Sequence, residues 1–152
     1  MRRKEKAVSD APAIDAIIKK ATVCRLGMVD GDNPYVVPLN FGYRDNVLYF
    51  HGALKGRKMD LLKKNPNVCF EFDIAGEAIE KVDACDWSMA YQSVIGFGKA
   101  SLVEELGSKR QALGIIMAHY SDNTFTFPDN KLMATAVIKV EIKTMTGKQS
   151  GF

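Results

Sequence analysis

Val47-Leu-Tyr-Phe-His-Gly-Ala-Leu-Lys-Gly-Arg-Lys58 is the stretch from which the rest of this chain is read. Its first half has the composition of a short strand ending at His51. Its second half is a glycine-bearing turn that delivers Lys55, Arg57 and Lys58 to the opening turn of a helix. A helix N-terminus presents unpaired N–H groups and the positive end of the helix dipole, so added cations make a seat for a phosphate. Gly52 and Gly56 carry no Cβ and let the backbone run close to a ligand. His51, at the strand exit, would stand between that phosphate and whatever is attached to it. The same residues also describe a solvated basic turn with one partly buried histidine, because short basic turns are common on surfaces. These residues alone leave both readings open.

Outward from this stretch, strands joined by short turns dominate. Asp10 caps a helix whose Ile14, Ile17, Ile18 and Ala21 form one apolar stripe. Residues 22–29 read as a strand, 30–34 (Asp-Gly-Asp-Asn-Pro) as a turn, 35–43 as a second strand, and 47–51 as a third. Residues 57–64 make a short helix that Asn65-Pro66 stops. Strand 68–74 follows, then a strand-plus-loop over 77–87, then strand 93–103. In that last strand Gly96 and Gly98 mark a bend, a bulge or a close backbone approach. A helix over 108–119 capped by Ser108, a loop through Phe127-Pro128 and a strand over 134–142 complete the chain. The pattern predicts one mainly β domain over 1–152, an antiparallel sheet rolled into a barrel with flanking helices.

Composition narrows the function. A length of 152 residues is that of one domain, and 47% apolar with 26% charged residues is ordinary for a globular protein. A net charge of +3 without aromatics interleaved among the cations argues against a nucleic-acid partner. Arg2, Arg3, Lys4 and Lys6 make a basic N-terminus, but no apolar stretch follows to form a signal peptide, and no run is long enough to span a bilayer. Cys24, Cys69 and Cys85 are odd in number and form no C-x-x-C pair, so neither a disulfide framework nor a metal site is expected. Reduced thiols and a cytoplasmic location are the corresponding expectations.

Val36-Val-Pro-Leu-Asn40 is unusual within a strand. Proline cannot donate to a ladder and belongs at an edge or a bulge. An edge leaves N–H and C=O groups in need of partners, which solvent or the rim of a flat heterocycle would supply. Asn40 could add a side-chain bond to such a ring, whereas Phe41 reads as core.

At this point the residues resemble a known family. Val36-Val-Pro-Leu-Asn-Phe41, Leu48-Tyr-Phe-His-Gly-Ala-x-x-Gly-Arg-Lys58 and Asn65-Pro-x-Val-Cys-Phe70 are similar, in that order, to the FMN-binding split-barrel superfamily related to pyridoxamine 5'-phosphate oxidase. Cys85-Asp-Trp-Ser, Tyr91-x-Ser-Val-Ile-Gly-Phe-Gly98 and Met145-Thr-Gly-Lys148 resemble its 5-nitroimidazole-resistance branch. The resemblance implies a six-stranded antiparallel split barrel, forming a homodimer with flavin at the subunit interface. Carried over by position, Arg57 and Lys58, with Lys55 nearby, would hold the FMN phosphate. Val37, Pro38, Leu39 and Asn40 would line the isoalloxazine ring, His51 would lie against it as the catalytic candidate, and Ser93 would approach from a neighbouring strand.

The resemblance implies a flavin-dependent oxidoreductase passing electrons from a nicotinamide or low-potential donor to a small acceptor such as a nitroaromatic. FAD or heme in place of FMN, in a non-catalytic binder with His51 as a heme ligand, is the alternative. The oxidases end in an Arg-x-His pattern that grips pyridoxamine; Lys143-Thr-Met-Thr-Gly-Lys-Gln-Ser-Gly-Phe152 lacks it, so that activity is not expected. His119 reads as a cation at a helix C-terminus, Met117 as core, Cys85 as a redox thiol or, more commonly for a free cysteine, a small buried apolar residue, and Trp87 as packing over a ligand or across a dimer or, more commonly, as core or interface filler.

Overall fold

The structure, a computed structural model, describes residues 4–152; Arg2 and Arg3 of the basic N-terminus lie outside the described residues. The strands are β1 (Ala7–Val8), β2 (Cys24–Asp30), β3 (Asn33–Leu39), β4 (Gly42–Arg44), β5 (Val47–Gly52), β6 (Asn67–Ile79), β7 (Ser88–Val103) and β8 (Ala136–Ser150). The helices are α1 (Ala11–Lys20), α2 (Arg57–Lys64), α3 (Leu106–Tyr120) and α4 (Asp129–Met133). Every pairing is antiparallel, in the order β3-β2-β6-β7-β8-β5-β4, with β1 on the far end of β8. Six strands are substantial; β1 and β4 are short additions, which agrees with the expected six-stranded split barrel.

Alternation along the strands closes the sheet around one core. Leu26, Phe50, Phe70, Phe72, Val94 and Ile138 all point inward and are fully buried. Each such side chain contributes about 1.5–3 kcal/mol before the entropy cost of ordering it. The α1 stripe enters the same core, and Asp10 caps that helix by accepting from the Ala13 N–H at 3.1 Å. The chain runs from β3 through Asn40-Phe41 directly into β4, yet β3 pairs only with β2 and β4 only with β5. That missing ladder is the split.

A second layer covers the outside of β4, β5 and the start of β8. Ala112, Ile115 and Ile116 of α3 and Leu132 of α4 are buried, as is Val137 on β8. Gly42 makes the seat possible, since a Cβ there would lie 2.7 Å from the Ile116 nitrogen. The buried Lys109 donates to the carbonyls of Leu132 and Thr135, tying α3 to the end of α4. Tyr120 closes the far end, donating from its hydroxyl to the Thr22 carbonyl and accepting from the Phe41 N–H.

Several boundaries differ from the sequence reading. Residues 35–43 break into two strands at Asn40-Phe41 because Phe41 turns into the core. The 30–34 turn shrinks to Gly31-Asp32, Gly31 having φ +62°, and Asn33-Pro34 already pair with β2. Glu105, not Ser108, caps α3, its carboxylate accepting from the Gly107 and Ser108 N–H groups; these bonds hold its pKa below the usual range. β6, β7 and β8 extend well beyond their expected ends, because they pair with one another out to an arm whose residues are not apolar enough to announce it. α4 was not foreseen. Gly96 and Gly98 do mark a close approach and a bulge: a Cβ on Gly96 would overlap the Phe70 ring, and the β7–β8 register shifts between Phe97 and Gly98. The His119 ring is half-buried rather than standing free in solvent. Its Nε2 lies 2.7 Å from the Ala21 carbonyl, and its ring centroid is 4.2 Å from that of Phe41.

Candidate functional site

The opening of α2 sits across the split. Gly56 is its N-cap residue, with φ +130° and no side-chain cap, so the first N–H groups of the helix are left to other partners. Arg57 reaches one wall of the split: its Nε and Nη2 donate to Asp30 Oδ2 at 3.0 and 2.7 Å, and its guanidinium stacks 4.4 Å from the centroid of Tyr35 on β3. That grip uses one edge of the fork and leaves the Nη1 end for an anion. Lys58 reaches the opposite wall. Its Nζ would lie 3.1 Å from a Cβ placed on Gly52, at the end of β5. Burial, with no carboxylate to offset it, pushes the Lys58 ammonium below the ordinary lysine range. Two adjacent cations therefore point to the two sides of the gap, and Lys55 is exposed just ahead of them.

The strand side of the gap is β3. Pro38 stands opposite Arg25 of β2, and the outer edge of β3 has no strand partner. Val37 and Leu39 are half-buried, packing against the core, whereas Val36 and Pro38 face outward; Asn40 is exposed just past the strand.

His51 goes elsewhere. Alternation turns Phe50 and Gly52 to the inner side and His51 to the side covered by α3. There it lines a cavity of about 300 Å³ with Leu113, Met117, Phe127 and Lys131. Only the backbone at 51–52 adjoins the start of α2, so the His51 side chain and the two cations do not share a face. Ser93 is farther still. It pairs with Lys148 on β8 while His51 pairs with Val137, at the opposite end of the same strand. Within one chain, Ser93 is not brought to the split.

Sequence reasoning missed Asp30 and Tyr35, the residues that orient Arg57. Asp30 looked like a turn residue, and only the register of β2 on β3 shows that it faces the helix. Trp87 and Cys85 are exposed on a short 3-10 turn and its exit, not buried. Among the described residues no cluster of side chains is suited to a metal, and no helix is long and apolar enough to cross a membrane.

A split barrel whose unpaired edge lies beside a basic helix start also has a counterpart among known families. The pyridoxamine 5'-phosphate oxidase family matches residues 10–149. The chain belongs to that family. Among solved structures, this family member is similar to a candidate 5-nitroimidazole antibiotic resistance protein from Bacteroides thetaiotaomicron. The two are 38% identical with a TM-score of 0.86, over 93% of this chain and 85% of that one. The flavocytochrome Anf3 from Azotobacter vinelandii shares the fold at 20% identity, with a TM-score of 0.89 over 100% of this chain and 72% of that one. The FAD and heme binding protein from Mycobacterium smegmatis does so at 16%, with a TM-score of 0.89 over 97% and 74%. No protein with a curated description matches the chain.

Proposed function

We propose that this chain is an FMN-binding oxidoreductase that works as a homodimer with flavin at the subunit interface. It would pass electrons from a nicotinamide or low-potential donor to a small acceptor such as a nitroaromatic. The observation that carries this reading is the uncapped start of α2 with Arg57 and Lys58 divided between the two walls of the split. Gly52, where a Cβ would lie 3.1 Å from the Lys58 Nζ, lets that ammonium lie against the end of β5. The 38% identity to a candidate nitroimidazole resistance protein supports the choice of acceptor class.

The residues of the chain have separable tasks in this reading. Arg57, held by Asp30 and Tyr35, and Lys58 bind the phosphate; Lys55 adds long-range attraction. Val37, Pro38, Leu39 and Asn40 offer an unpaired strand edge to the rim of the ring, and Ser93 enters from the second copy. His51 is the candidate proton donor; its side chain opens on the cavity under α3, at the end of β5 that adjoins the start of α2. The flavin, when bound, supplies the redox chemistry.

The test is direct. Protein cleared of ligand by dialysis should take up FMN with micromolar or tighter affinity, and bound flavin should bleach with NADH or NADPH under nitrogen. Arg57→Ala should weaken FMN binding about a hundredfold without altering the fold, because it removes a charge-assisted fork from an exposed position. Unchanged affinity would place the phosphate elsewhere. Flavin that stays oxidised with both nicotinamides and with dithionite-mediated donors would leave only the binder, and a Soret band on heme addition would direct attention to His51.

A further inference from the structure

The outer face of the sheet carries an open apolar strip shaped like an L. Its long limb runs down β7, where Met89, Tyr91, Ser93, Ile95 and Phe97 point outward while Ala90, Gln92, Val94 and Gly96 turn in. Its short limb crosses the sheet in register from Phe97 through Cys69 and Gly27 to Val36 on β3, over a concavity of about 540 Å³. Val36 and Phe97 are each 56% exposed, Met89 is 50% and Trp87, just past the end of the long limb, is 51%. The Trp87 indole N–H donates to the Lys81 carbonyl at 2.8 Å, which fixes the ring at the tip of the arm.

This face is suited to a second copy of the chain. Near its corner Arg25 is bound by Glu71 and Asp73, and on the long limb the Lys6 and Lys148 ammonium groups stand over the Tyr91 ring, 6.0 and 5.7 Å from its centroid. Exposed apolar area on this scale marks an interaction site. When two identical faces meet about a two-fold axis, the axis lies in the plane of contact and each residue meets its mirror position. For an L, apolar meets apolar if that axis bisects the corner at Phe97, which lays the long limb of each copy over the short limb of the other. The short limb spans three strand spacings, about 14 Å, and the long limb from Phe97 to Met89 about 26 Å. The long limb therefore overhangs β3. It puts Ser93 of one copy near Val36 of the other, and its end beyond the unpaired edge.

The geometry points to Trp87 and Met89 of one copy as the roof of the split in the other, supplying an indole face and a thioether to a flat heteroaromatic ring held at β3. This inference rests on the flavin-binding dimer proposed above. Trp87 is the single tryptophan of the chain, so its emission reports its own site.

The experiment measures FMN binding by flavin fluorescence in Trp87→Ala, Arg57→Ala and an equimolar mixture refolded together, with heterodimer formation scored by differently tagged copies. Trp87→Ala alone should bind about tenfold more weakly, with brighter bound flavin, because a stacking face is lost. Trp87→Phe should restore most of the affinity. In a heterodimer, the Trp87→Ala chain keeps its Arg57 and receives the roof of the Arg57→Ala chain. A tight, quenched class amounting to about a quarter of all sites should then appear, one site in each of the half of dimers that are mixed. Heterodimers without that class would overturn the contribution in trans while leaving flavin binding intact. A wild type that sediments as a monomer with bound FMN would overturn it too. Failure of the wild type to take up FMN would instead overturn the functional reading, and this inference with it.

Discussion

The two outer faces of the same sheet make an instructive pair. Over β4, β5 and the start of β8, α3 and α4 bury Val137 and Leu132 and leave a small cavity at His51. Over β3, β2, β6 and β7 no element of the described chain lies, and Val36, Ile95 and Phe97 are open. Strand alternation is equally regular on both sides, so local pattern does not separate them. What separates them is whether the chain returns. An apolar side chain on a strand favours being covered, and here the chain supplies that cover on one face and leaves the other open.

The comparison can be broken first in the core both faces share. Phe41→Ala removes a fully buried ring that touches Phe72 and His119, and should lower unfolding free energy by about 3–5 kcal/mol in urea titration. A loss under 1 kcal/mol would mean that the split is too loose to hold a packed core there.

Phe97→Asp separates the faces. It should leave the fold of each chain unchanged by circular dichroism but raise the dimer dissociation constant at least about a hundredfold in sedimentation, since it sets two carboxylates near the two-fold corner. A dimer of undiminished affinity would move the interface to the helical face.

The smallest effect lies at the seam between them. Burial depresses the pKa of Lys58, which means that its charged form is disfavoured in the folded protein. That penalty on folding is fully present below the depressed pKa and disappears as pH rises past the ordinary lysine value. Phosphate binding reverses it, so FMN affinity should begin to fall at a pH below the ordinary lysine range, by up to about tenfold, with proton uptake on binding. In Lys58→Arg the fall should vanish up to pH 10. A pH-independent wild type would show that Lys58 does not meet the phosphate.

Much of the architecture was legible because it depends on local chemistry. The α1 stripe with its Asp10 cap and the Gly-bearing turn into α2 all sit where period and capping place them. Gly96 and Gly98 signal a bend, a bulge or a close approach from sequence alone, since a glycine in a strand interior otherwise only weakens it. The cap of α3 was misread because Glu is not among the favoured N-cap residues, and nothing local shows its carboxylate folding back on Gly107. The arm was under-read because β6, β7 and β8 stabilise one another by pairing, a long-range gain that no window of sequence displays.

For the site, the sequence by itself determined which groups are present: an anion-seeking helix start at Arg57-Lys58, a proline-bearing edge at Val37-Pro38-Leu39, and a histidine at a strand end. Spacing and backbone chemistry are enough for that, because capping and strand period act over a few residues. Only the tertiary structure decided where those groups point. It divided Arg57 and Lys58 between two walls, turned His51 to the side of α3, and set Ser93 at the far end of β8 from His51, away from the split. Those outcomes follow from register and sheet curvature, which are set by contacts between residues tens of positions apart.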